Sequence, residues 1–151
     1  MTIRKATTSD LTDLSQLFDE YRVFYRKESD VAGAQQFLKA RMEGNESMIY
    51  VALNADNRMT GFVQLYPLFS STRMQRMWLL NDLYVNVTFR GLGVSKALIA
   101  QAKQLVIETN ACALTLETEK SNLIGNQLYP ATDFKLDEDH HYYYWDSSHA
   151  L

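Results

Sequence analysis

The chain has 151 residues, 46% of them hydrophobic and 22% charged, with a formal net charge of −3 at pH 7. That length and apolar content suit one domain, residues 1–151, around a single core, and the mild acidity without a basic run or arm argues against nucleic acid or anionic membrane as partners. The single cysteine, Cys112, cannot form an internal disulfide or a thiolate metal site; no apolar run approaches a membrane span and no apolar stretch follows the basic start, so a cytoplasmic protein without metal is expected.

Ile3–Ala6 reads as a short first strand. Thr7, Thr8, Ser9 and Asp10 offer N-cap chemistry ahead of Leu11, Leu14, Leu17, Phe18 and Tyr21, whose spacing predicts an amphipathic helix. Beyond the polar segment Tyr25–Asp30, Ala34, Phe37, Leu38 and Arg41 share one face of a second helix, stopped by Gly44-Asn45. Met48–Leu53 and Met59–Tyr66 are β-rich runs flanking the turn formers Asn54–Arg58 and read as an antiparallel hairpin; Trp78–Val85 adds a third long strand. From Ser95, the residues Leu98, Ala102, Leu105 and Val106 recur at helical spacing up to Thr109-Asn110, and Ala113–Glu117 makes the next strand. Asn122–Tyr129 reads as a short helix stopped by Pro130. Phe134–Leu136 and His141–Trp145, around Asp137–Asp139, read as a closing hairpin. The order β-α-α-β-β-β-α-β-α-β-β is mixed α/β, one central sheet with helices on both faces.

The most informative stretch runs from Leu83-Tyr84-Val85, a buried strand end, into Arg90-Gly91-Leu92-Gly93-Val94-Ser95-Lys96 at the start of a helix. Glycines there remove side-chain bulk where backbone N–H groups and the positive helix end can face a pyrophosphate, so a nucleotide-containing ligand is the first hypothesis. The third glycine of a dinucleotide fingerprint is missing, and no phosphate loop ending in Gly-Lys-Ser/Thr occurs.

What remains is the pattern Arg/Gln-x-x-Gly-x-Gly/Ala, met as Arg90 to Ser95, which resembles the acetyl-coenzyme A loop of the GNAT N-acetyltransferase superfamily. A second anchor, Asn122-Leu123-Ile124-Gly125-Asn126-Gln127-Leu128-Tyr129-Pro130-Ala131-Thr132-Asp133-Phe134, is similar to that family's Asn-x-x-Ala-x-x-Leu-Tyr-x-x-x-Gly-Phe segment. It departs at Gly125, at Pro130 and at Asp133, which stands for a glycine; aspartate tolerates left-handed backbone better than most residues, so that turn can survive. Gly61–Pro67 with Trp78–Asp82 resembles the branch acetylating polyamines, thialysine and small basic proteins.

The resemblance implies a GNAT fold, acetyl-CoA as cosubstrate, and transfer of an acetyl group to a primary amine by direct attack in a ternary complex. It implies that backbone groups of Leu83, Tyr84 and Val85 hold the pantetheine and polarise the carbonyl, that Arg90, Gly91, Leu92, Gly93, Val94, Ser95 and Lys96 take the pyrophosphate, and that Asn122 and Gln127 bond the cofactor's amide arm. Tyr129 matches the family's general acid; a phenol of pKa about 10 keeps its proton at neutral pH and can give it to a leaving thiolate. Asp82 is the preferred acid for handling the amine, with Glu117 the other candidate, and Asp82 reads equally as a buried acid bonded to backbone amides. Tyr25, Glu28 and Tyr66 mark an acceptor wall, aromatic with polar interruptions, that reads as well as core or dimer contacts. His140 and His141 lack a third ligand and are read as structural. The aromatic run Tyr142–Trp145 suggests a homodimer. Other functions that fit the chain are a non-catalytic acyl-CoA sensor and a protein lysine or N-terminal acetyltransferase.

Overall fold

The computed structural model describes residues 1–149, in two units, Met1–Glu117 and a second that begins at Thr118. The first unit holds β1 (Thr2–Lys5), a 3-10 turn (Thr8–Asp10), α1 (Leu11–Phe24), α2 (Val31–Glu43), β2 (Met48–Leu53), β3 (Met59–Ser70), β4 (Gln75–Val85), α3 (Val94–Glu108) and β5 (Leu114–Thr115). The entry to α1 is fixed by Asp10, whose carboxylate accepts from the Thr7 N–H at 2.7 Å and from both Arg4 guanidinium arms at 2.7 Å. That bidentate pair holds the Asp10 carboxyl down at about 2. Asp30 caps α2 by accepting from the Gly33 N–H at 2.9 Å, and Gly44 ends it.

The five strands lie in the order β1-β2-β3-β4-β5, antiparallel through β4, with β5 parallel to β4. This is the mixed sheet expected from the element order. Burial on both faces explains why β2 and β3 read as nearly unbroken apolar runs rather than alternating ones. On one face Leu14 and Phe18 of α1 and Leu38 of α2 pack with Ile49, Val51 and Phe62. The other face carries α3, whose Val94, Leu98, Ile99, Ala102 and Leu105 are buried. At Gly61 a β-carbon would stand 2.8 Å from the Tyr84 carbonyl oxygen and 3.2 Å from Val94, so only glycine allows this approach of β3, β4 and α3.

Two irregularities of β4 set the orientation of its side chains and free part of its backbone. The pairing with β3 jumps from Gln64↔Asp82 to Leu65↔Leu80, leaving Asn81 as the extra residue of a bulge. Before the bulge Trp78 faces α3, its indole N–H donating to Thr109 Oγ1 at 2.9 Å; after it, Asp82 and Tyr84 stand beside Gln64 and Phe62, on the α1 side. The ladder to β5 consists, among the described residues, of Trp78↔Leu114 and Leu79↔Thr115. From Leu80 to Val85, β4 runs on past the end of β5, and the two strands part.

In the second unit α4 (Leu123–Leu128) is followed by a 3-10 turn at Pro130–Thr132, with proline at its start. Asp133 takes the left-handed conformation (φ 65°) that the family's glycine would take. The expected closing hairpin is not formed. Residues 133–146 contain no strand, and Tyr142, Tyr143, Tyr144 and Trp145 are exposed, Tyr143 by 93%. The Asp137 turn does form, its carboxylate accepting from the Asp139 and His140 N–H groups. A turn needs only neighbouring residues, whereas β-propensity becomes a strand only where a partner supplies the ladder.

Candidate active site

Asp82 is the centre of the arrangement in the first unit. It is 4% exposed, and its oxygens accept from Gln64 Nε2 at 2.8 Å and from Asn81 Nδ2 at 3.1 Å. Tyr21 of α1 adds its hydroxyl. Burial raises the Asp82 carboxyl above the usual range, and the three hydrogen bonds oppose that rise by favouring the anion. Half-buried Tyr66 lies within reach of this charge: burial first, then the Asp82 carboxylate, pushes its phenol up to about 12, against the pull of Arg41. Gln64 is wholly buried, and its Oε1 has no hydrogen-bond partner. Of these residues, sequence reasoning names Asp82 and Tyr66 and misses Tyr21, Gln64 and Arg41. Gln64 carries a signal, a lone amide inside the apolar run Phe62–Leu65.

The glycine loop lies in the same unit. Gly91 (φ 76°) and Gly93 (φ 80°) both hold left-handed backbone, and a β-carbon built on either meets no atom within 4 Å. Exposed Leu92 sits between them. Gly93 is the N-cap of α3, and Val94, Ser95 and Lys96 form its first turn, which contains no acidic side chain. The loop thus leaves open space next to a helix start, where backbone N–H groups and the helix dipole favour a pyrophosphate. Arg90 is already placed: its Nε donates to the Val85 carbonyl at 3.0 Å, and its guanidinium carbon sits 5.6 Å from the centre of the Phe24 ring and 5.5 Å from that of Tyr84. Tyr84 has its phenol raised, by burial first and then by Glu20, with Arg90 opposing. Leu83, Tyr84 and Val85 belong to the stretch of β4 that has parted from β5. The residues present therefore fit the phosphate and pantetheine parts of acetyl-CoA.

Tyr129, Asn122 and Gln127 lie in the second unit. Half-buried Tyr129 caps α4, its N–H donating to the Gly125 carbonyl at 3.0 Å and its ring meeting Phe134 edge-on at 5.8 Å. The Asn122 side chain caps the helix, accepting from the Gly125 N–H and donating to Thr118 Oγ1, both at 3.0 Å. Gln127 is exposed. In the first unit Tyr25 lines a cavity between α1 and α2, whereas Glu28 and Glu117 are exposed. No helix among the described residues is long and apolar enough to cross a membrane.

Residues 13–134 match the model of the acetyltransferase (GNAT) family. The chain is 43% identical over 137 residues to an uncharacterized N-acetyltransferase, YhfO, of Bacillus subtilis (strain 168), covering 91% of each. It is 33% identical over 117 residues to a probable acetyltransferase of Haemophilus influenzae, covering 78% of this chain and 80% of that one. A crystal structure of a probable acetyltransferase superposes with a TM-score of 0.93 at 37% identity, covering 97% of both chains. Fold, loop and sequence agree: the chain belongs to the acetyltransferase (GNAT) family and is an N-acetyltransferase.

Proposed function

We propose that this N-acetyltransferase uses acetyl-CoA to acetylate a primary amine by direct attack in a ternary complex. The observation that carries this reading is the placement, within one unit, of a buried, hydrogen-bonded Asp82 in the parted stretch of β4 and of the open Gly91–Gly93 loop just after it. Acetyl-CoA, when bound, supplies the acetyl thioester. Arg90 to Lys96 hold its pyrophosphate, and the freed backbone of Leu83, Tyr84 and Val85 holds the pantetheine arm.

An amine attacks only as the free base, so an ammonium proton has to leave first. Asp82 is buried, and Tyr21 connects it with the acceptor side: the ring lines the cavity between α1 and α2 while the hydroxyl bonds the carboxylate. A phenol can accept a proton from the amine as it passes its own to Asp82. The raised pKa of Asp82 brings it nearer to neutral pH and makes it a better proton acceptor than an ordinary aspartate. Tyr129 is assigned the proton that the departing thiolate takes up. Asn122 and Gln127 are assigned to the amide arm of the cofactor, and Tyr25, Glu28, Tyr66 and Glu117 to the acceptor side, where the amine is a polyamine, an amino acid or a lysine-like molecule. The molecule acts as a homodimer through the exposed aromatic run at Tyr142–Trp145.

Thiol release from acetyl-CoA, measured against a panel of amines with cofactor binding followed by calorimetry, tests the reading. Amine-dependent release is the expected result. Tight cofactor binding without release from any amine or lysine peptide would overturn it in favour of an acyl-CoA sensor.

A further inference from the structure

The cavity between α1 and α2 has a volume of about 500 Å³, the size of a small-molecule site. Its walls are the rings of Phe18, Tyr21, Tyr25 and Phe37. Phe18 and Phe37 stack at 6.0 Å and 11°, and Tyr21 and Tyr25 meet edge-on at 5.1 Å. The last two turns of α1 tie this cavity to the reaction: Tyr21 reaches Asp82, and Phe24 lies against the Arg90 guanidinium of the cofactor loop.

The charges around the cavity are arranged against a second cation. Arg22, Lys27 and Asp30 line it, two cations to one carboxylate. Of the carboxylates nearby, Glu28 is exposed, Asp30 caps α2 through the Gly33 N–H, and Asp19 accepts from Ser29 Oγ at 2.6 Å, the Asp30 N–H at 2.7 Å and Arg22 at 3.4 Å. These bonds hold the Asp19 carboxyl down, the Ser29 hydroxyl contributing most. A site for a polyamine needs carboxylates free to meet the distal nitrogens, and here Asp30 is held at the α2 cap and Asp19 by Ser29, Asp30 and Arg22.

We propose that the acceptor is a primary amine with one basic nitrogen, borne on an aryl- or branched-alkyl-sized apolar body that seats between α1 and α2, and that polyamines are selected against. The inference rests on the transferase reading and sets aside the polyamine and lysine-like acceptors named there in favour of a monoamine.

Two measurements separate the inference from that reading. Thiol release is compared for 2-phenylethylamine, 3-methylbutylamine, putrescine and spermidine, and the same amines are titrated into the protein without acetyl-CoA while the aromatic ring resonances are followed by NMR. The expected result is a kcat/KM for the aryl amine about tenfold or more above that for putrescine, with shifts of the Tyr25 and Phe37 rings. Phe37→Ala should reduce the aryl-amine kcat/KM several-fold, and Lys27→Glu, at an exposed position, should raise the putrescine to phenylethylamine ratio. Equal or better turnover of the polyamines, or release without ring shifts, overturns this inference and leaves the transferase standing. Ring shifts without release from any amine support the apolar-amine cavity and overturn the transferase reading. Neither signal sinks both.

Discussion

Gln64→Leu isolates the proton-handling role of Asp82. The substitution removes the 2.8 Å donor to Asp82 Oδ2 and leaves Asn81 at 3.1 Å and Tyr21 in place. It also removes the buried Oε1 that has no partner, so the folded state loses one good and one unsatisfied polar contact together, and the melting temperature should change little. A hydrogen bond to a charged group is worth about 1.5–3 kcal/mol. Because that bond favours the anion, its loss should raise the Asp82 pKa further. The assay is the pH dependence of kcat/KM for one amine at saturating acetyl-CoA, by thiol release. The acidic limb set by Asp82 should move to higher pH, while the limb set by the amine itself stays fixed, since the substrate is unchanged. An unmoved limb, or one that moves to lower pH, would refute the assignment of Gln64 as a donor that tunes an ionising Asp82.

Asp82→Asn should reduce kcat by about a hundredfold or more and raise thermal stability at pH 7. The raised native pKa of Asp82 means that its ionisation opposes folding. The new amide can also donate to Gln64 Oε1. The stability gain should vanish below the ordinary aspartate range, where the parent carboxyl is neutral in both states, and differential scanning fluorimetry across pH would expose a gain that persists there. Gly93→Glu should weaken acetyl-CoA binding by about tenfold or more in calorimetry through bulk and charge; Gly93→Ala, which keeps only the backbone penalty at φ 80°, should fall between it and the parent. Tyr129→Phe should lower kcat with little change in acetyl-CoA affinity, and turnover unchanged at every pH would remove the phenol from the reaction. Trp145→Ser, at a position 73% exposed, should shift sedimentation toward the monomer, and a parent that already sediments as a monomer would remove the dimer.

Legibility in the sequence follows the range of the physics involved. β2 reads with its observed bounds because apolar residues end at turn formers on one side and helix-stop chemistry on the other, all local. β3 reads as ending at Tyr66 and continues through Pro67 to Ser70, since Pro67 sits opposite Trp78 in a long hairpin whose stability comes from the partner strand. The glycine loop is legible because positive φ and open space impose residue type directly. Asp82 can be picked out by its place in the motif, but its Gln64 partner comes from 18 residues away across a register that no local pattern encodes. Tyr21 reads as one more apolar position on α1, and its second function, at the hydroxyl, depends on where the helix is set against the sheet. The closing hairpin fails for the same reason in reverse: tyrosines and tryptophan announce a strand, and no ladder partner is present among the described residues.

The single extra residue at Asn81 has a consequence that amino-acid type alone would never reveal. Side chains alternate along a strand, so the count of residues before Asp82, more than their chemistry, decides which layer of the protein it enters. Were Asn81 to take a place in the ladder opposite Gln64, every group assigned to proton transfer would remain, but Asp82 and Tyr84 would pair with Val63 and Gly61 and turn toward α3, delivering a carboxylate to an apolar interior. The site is therefore written partly in arithmetic: the offset of one residue between the two strands, and not the motif alone, keeps the acid on the side of α1.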